Sequence, residues 1–142
     1  MATTTRLVLE QRVAEALGDY YSFTTSSAGA AGGTTIISTA LQDLPGGNDD
    51  DAFENWHAHL TSGTNDGESR RASAYAQSTS TITVPRAYTG QVATSVTGVL
   101  HRFPTVDYVW AINRAVEELF PHLYLPIYDE TLVIDNRLSN SD

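Results

Sequence analysis

The chain has 142 residues, a formal net charge of −9 and no cysteine, and all eight of its basic residues are arginine. This length fits one domain able to bury roughly two thirds of the surface its unfolded form exposes, so folding requires neither disulfide nor metal. Lack of cysteine excludes a disulfide framework, a thiol nucleophile and a thiolate metal site, and the negative field opposes phosphate backbones and anionic membrane surfaces.

No apolar run reaches the roughly 18 residues of a membrane span. The opening MATTTRLVLEQR lacks the basic, apolar and small-residue regions of a signal peptide, so export is not indicated. In chain order, residues 4–18 read as an amphipathic helix, the body of an N-terminal helical segment over 1–21. Leu9, Val13, Ala16 and Leu17 share one face, Glu10, Arg12 and Glu15 point to solvent, and Leu7 and Val8 widen the apolar surface. A threonine among Thr3, Thr4 and Thr5 supplies the N-cap, and Gly18 the stop. Residues 22–33, SFTTSSAGAAGG, read as a flexible linker.

The next block, 34–103, reads as a β-domain. TTIIS at 34–38 is a short strand, and PGGNDDD at 45–51 an acidic loop. In 55–62, Trp56, Ala58 and Leu60 alternate with His57 and His59, as in a half-buried strand with the histidines facing solvent. GTNDGE turns the chain, and SRRASAYA at 69–76 returns as one strand. After QSTS comes TITV at 81–84, ended by Pro85, and then a strand over 92–102. The segment 104–121 holds a second helix over 105–119, with Val109, Ile112, Val116 and Leu119 in one stripe flanked by Trp110 and Phe120 and closed by Pro121. Residues 122–142 form an extended, largely apolar arm. The fold class is therefore α+β: a small antiparallel β-barrel or sandwich flanked by an N-terminal and a C-terminal helix.

Candidate chemistry is sparse. His57-x-His59 has metal-site spacing and would need a third ligand from His101, Glu54 or Asp49–Asp51; the bland reading is two polar residues on a strand's outer side. Asp49, Asp50, Asp51 and Glu54 lack the alternating pattern of an EF-hand and read as a solvated acidic loop, or one facing a neighbour's arginines. Asp66, Glu68, Asp129 and Glu130 are not placed opposite a common substrate. No G-x-S-x-G or S-x-x-K occurs, a phosphate-binding G-x-x-x-x-G-K loop is impossible without lysine, and the glycines at 29, 32 and 33 miss the dinucleotide fingerprint. These absences argue against an enzyme and against any cofactor or resident metal. A small hydrolase built on a His57/His59 metal site is the enzymatic alternative.

The run LTSGTNDGESRRASAYAQSTSTITV resembles a β-module that recurs in tailed-phage virion proteins. Thr61, Ser62, Gly63, Gly67, Glu68, Arg70 and Arg71, followed by Thr81 to Val84, carry the likeness. The segment with Leu100, His101, Arg102, Ala111 to Ala115 and Pro121 is similar to the helix and tail that accompany it. The resemblance spans about Trp56 to Asn136, and Ala72 stands where that module usually carries a larger aliphatic. It implies a virion structural protein assembled in the host cytoplasm, of the head-to-tail connector (neck adaptor) type. Such subunits form a homo-oligomeric ring, of about twelve copies, between portal and tail proteins; DNA passes through the ring without specific binding, and no membrane is involved.

Two apolar helices and an apolar arm exceed what one small β-domain can cover, so copies are expected to shield one another. The expected contacts are Leu7, Val8, Leu9, Arg70, Arg71, Trp110, Leu123, Tyr124, Leu125, Ile127 and Tyr128. The alternative is a peripheral binding or anchor module, a fibre or receptor-binding domain, with Trp56, Tyr75 and Tyr88 exposed to stack on host glycans.

Overall fold

The period-two patterns become two antiparallel sheets. The computed structural model describes residues 6–119, and of Arg6 and Leu7 only the backbone. Helix α1 (Arg6–Ala16) precedes β1 (Tyr21–Thr24), β2 (Thr35–Ile37), β3 (His57–Leu60), β4 (Ser69–Arg71), β5 (Ala74–Ala76), β6 (Thr81–Thr83) and β7 (Thr97–His101), and α2 (Thr105–Leu119) follows. One sheet has the order β1-β7-β3-β4 and the other β2-β6-β5. The fold is α+β, and of the two expected architectures the described residues form the sandwich, not a closed barrel.

Alternate residues of both sheets meet between them. Phe23, Ala58, Leu60 and Leu100 from the four-stranded sheet are buried with Ile36, Tyr75 and Ile82 from the three-stranded one. Each such side chain removes apolar surface from water at about 25 cal/mol per Å². The sheets are stitched together at both sides. After β1, Ser26 N–H donates to the O of Ile37, the last residue of β2 (3.0 Å). After β4, Ala72 N–H donates to Trp56 O (2.7 Å) and Ser73 N–H to Thr83 O (2.8 Å), so consecutive residues bond to different sheets.

That second corner corrects the single strand expected over 69–76. The chain switches sheets at Ala72, whose small side chain is buried at the bend. The strand expected over 92–102 is also shorter. Ser95 adopts a left-handed φ of 62°, and only Thr97–His101 pairs in the sheet, while Val92 and Val96 reach the core from the preceding loop. Residues 22–33 are no free linker: they hold β1, and beyond it Thr25 N–H donates to Val96 O and Gly29 N–H to Val92 O. Gly29 serves close approach, since a Cβ there would lie 2.1 Å from Thr35 O.

The acidic loop is likewise more than a solvated run. Phe53 plunges from it into the core, edge-on to Tyr75 at 4.7 Å between ring centroids. The Asp51 and Asp50 carboxylates accept from Tyr75 N–H (3.2 Å) and Gln77 N–H (2.8 Å), and Tyr75 OH donates to Gly47 O (2.9 Å). The loop thus clasps the β5 edge, satisfying backbone donors that a bare edge would leave open.

Both helices cover the outer face of the four-stranded sheet. At the end of α1, Gly18 has φ +66° and Asp19 N–H donates to Ala14 O (2.8 Å), the six-to-one bond that closes a helix with a left-handed residue. The inward face of α1 is not the one expected: Ala14 is buried and Val13 and Glu10 are partly buried, whereas Leu9, Ala16 and Leu17 are exposed. Helix α2 has the expected span. Its first half packs, with Tyr108 buried and Val109 and Ile112 partly so, but every residue from 113 to 119 is exposed. The threonine cap, Phe120, Pro121 and the arm lie outside the described residues.

Candidate functional site

Strand alternation puts Ala58 and Leu60 into the core and therefore His57 and His59 on the opposite face. That face is not open to solvent as expected, because α1 and α2 lie over it. His101 on β7 stands directly across from His57. Its Nδ1 lies 2.7 Å from Asp19 O, and since a carbonyl only accepts, that nitrogen carries the proton.

The Asp19 carboxylate, almost wholly buried, joins three elements. It accepts from Arg102 N–H (2.7 Å), Phe103 N–H (3.2 Å) and the Tyr108 hydroxyl. The end of α1, the exit of β7 and the first turn of α2 are thereby locked to one side chain. Burial, and then the Asp19 hydrogen bond, push the Tyr108 hydroxyl well above its ordinary range, so it remains a donor. Nothing in the sequence marks Asp19 beyond its place after the helix-ending Gly18.

Between the helices and the sheet lies a cavity of about 130 Å³ lined by Glu10, Tyr20, His59, His101, Thr105 and Tyr108. His59 Nδ1 is buried with no protein partner among the described residues. Burial lowers the His57 and His59 pKa values, assisted by Arg71 beside His57 and by His101 beside His59. The unfolded histidines titrate near 6.5. Below that pH the unfolded chain binds more protons than the folded one, so stability falls as pH drops and is flat above. We expect the melting temperature to decline from pH 7.5 to pH 5.5, and the joint substitution His57→Gln, His59→Gln to flatten that decline. Equal wild-type melting temperatures across this interval would contradict it.

Among the described residues, no three His, Asp or Glu side chains are arranged to hold a metal ion. Of the candidate third ligands, Asp50 and Asp51 are engaged in the clasp and His101 Nδ1 with Asp19 O.

The expected interface residues divide. Arg70 has partners within its own chain, donating to Ala87 O, Ser69 O and Glu68 and lying 5.2 Å over the Tyr88 ring. Arg71 is exposed and donates to Asn55 Oδ1. Val8 and Leu9 are exposed on α1, and Trp110 is 71% exposed on α2. The structure adds Leu17, Val106, Val116 and Leu119 to this surface; the last two continue the stripe that packs earlier in α2, past the point where the domain covers it. The side chain of Leu7 and residues Leu123, Tyr124, Leu125, Ile127 and Tyr128 lie outside the described residues.

The aromatics expected on a glycan-binding surface are not free to stack. Tyr75 and Tyr88 are buried, each with its hydroxyl bound to a backbone carbonyl, and Trp56 is half-buried between Tyr21, Phe53 and Arg102. No helix among the described residues is long and apolar enough to cross a membrane. The chain matches no protein-family model, no curated protein and no solved structure.

Proposed function

We propose that the chain is a structural, non-catalytic subunit of a larger assembly, and specifically a head-to-tail connector of a tailed-phage virion whose copies form a ring between portal and tail. The supporting observation is the second half of α2. Val116 and Leu119 stand 58% and 50% exposed, with Trp110 on the neighbouring flank, and the largely apolar segment 120–136 follows directly in the sequence. A monomer leaving this surface in water forgoes about 25 cal/mol for each Å² that a neighbour would cover. The phage setting rests on the likeness of Trp56 to Asn136 to the virion β-module and its helix.

Deleting residues 122–142 is expected to leave the β-domain folded and to abolish incorporation into particles, read by quantifying the subunit in purified virions. Normal incorporation of the truncated chain would overturn the proposal.

A further inference from the structure

The chain is acidic, with 17 Asp and Glu against eight Arg, yet one end of the four-stranded sheet is locally basic. Arg70 and Arg114 form ion pairs with Glu68 and Glu118, Arg86 stands near Glu68, and Arg12 shares α1 with Glu10 and Glu15. Arg71 and Arg102 differ: both are exposed, and neither pairs with a carboxylate among the described residues. His57 pairs across the sheet with Arg71 on one side and with His101, the neighbour of Arg102, on the other. At the backbone the two arginines therefore flank β3 about two strand spacings, roughly 10 Å, apart, with Arg71 on the His57 face and Arg102, one residue past His101, over the Trp56 ring at the sheet's end. Between them stands Trp56, with the Arg102 guanidinium 5.0 Å over its ring. Two carboxylates lie on the helix side: Asp107 and Asp19 both act on His57, and Asp19 accepts from the Arg102 backbone N–H, but neither forms an ion pair with the Arg71 or Arg102 guanidinium.

Such a site suits a peptide that carries apolar residues followed by two adjacent carboxylates. The chain contains one: Leu123-Tyr124-Leu125-Pro126-Ile127-Tyr128-Asp129-Glu130. We propose that the end of the sheet around Trp56 receives this segment from a second copy, with Arg71 and Arg102 holding Asp129 and Glu130. This rests on the assembly reading above and names the receptor for the arm. The second copy is favoured by direction. Helix α2 starts three residues after Arg102, and its exposed second half carries the root of the arm about 21 Å away from that end. The described chain thus ends at Leu119, at the far end of α2 from its own Arg71 and Arg102. Head-to-tail contacts of this kind repeat around a closed ring.

The test compares the full-length chain with two double variants, Arg71→Glu/Arg102→Glu and Asp129→Arg/Glu130→Arg, by light scattering and sedimentation over a salt series. Wild type should self-associate, more weakly as salt rises. Each double variant should associate at least about tenfold more weakly, and mixing the two should restore mixed oligomers, because the swapped charges again face opposite signs. Circular dichroism checks folding, and Arg71→Gln/Arg102→Gln serves if the charge reversal unfolds the chain. Wild-type oligomers indifferent to both variants and to salt would overturn the receptor while leaving the assembly reading standing. A wild type that stays monomeric would overturn both. Cross-links between Asp129 or Glu130 and the sheet end confined to a single chain would show that the arm returns to its own domain, against the second copy.

Discussion

Replacing Asp19 with alanine is expected to destabilise the protein by about 3–5 kcal/mol, a large fraction of the 5–15 kcal/mol typical of a domain. The carboxylate is 2% exposed and accepts from two backbone N–H groups and the Tyr108 hydroxyl. Its removal strands three donors beneath the helices, and each unmet buried donor costs about 1–3 kcal/mol. Asp19→Asn should fall between, because one amide oxygen still accepts while the amide nitrogen turns a donor toward donors. Urea unfolding monitored by circular dichroism measures both. Hydrogen exchange should show the largest loss of protection in α2, since Asp19 is the side chain that ties its first turn to the sheet. An alanine variant with the wild-type midpoint would show that the lock carries little energy.

The second large effect is expected at Gly47. A Cβ there would lie 2.0 Å from Leu41 O and 3.0 Å from Gln42 Cα, both backbone atoms that no rotamer can move. Gly47→Ala must displace the clasp that holds Phe53 in the core and receives the Tyr75 hydroxyl, at a cost of about 2–4 kcal/mol. Gly32→Ala is the control. A Cβ at Gly32 meets nothing within 4 Å, and its φ is not in the left-handed range. That substitution should be neutral or stabilise by a few tenths of a kcal/mol through the unfolded chain. Similar melting temperatures for the two variants would refute the packing argument.

The two glycines also show where sequence reading ends. Each sits in a Gly-Gly pair beside small or polar residues, and composition cannot tell one pressed against a carbonyl from one facing solvent. The same blindness turned 22–33 into a linker, although Thr25 and Gly29 are tied to the loop before β7. Periodicity served better. The boundaries of α2, the strand at 35–37 and the inward set Ala58, Leu60, Ile82 and Val84 all follow from spacing, because one side of each faces a single core. It failed on α1, whose apolar residues are spread around the axis, so that Leu9 and Leu17 were placed inside and Glu10 outside. The histidines were assigned to the correct strand face, but their cover comes from helices distant in sequence. Of the exposed apolar surface, Trp110 and Val8 are legible in the sequence; the nearness of Arg102 to Trp56 is not, since it comes from the pairing of β7 with β3.

The order β1-β7-β3-β4 has a consequence for how the molecule is made. One of the two interior strands of that sheet, β7, is the last of the seven to leave the ribosome, and it pairs Tyr21 with Leu100 on one side and Ala58 with Leu100 on the other. Until β7 emerges, β1 and β3 have no common neighbour and the helices have no surface to settle on. Contacts this distant in sequence close slowly, so a nascent chain remains incomplete for most of its synthesis and acquires its shape nearly all at once near the end. The exposed half of α2 lies beyond every strand in the chain, so it is made only when the domain that carries it can close.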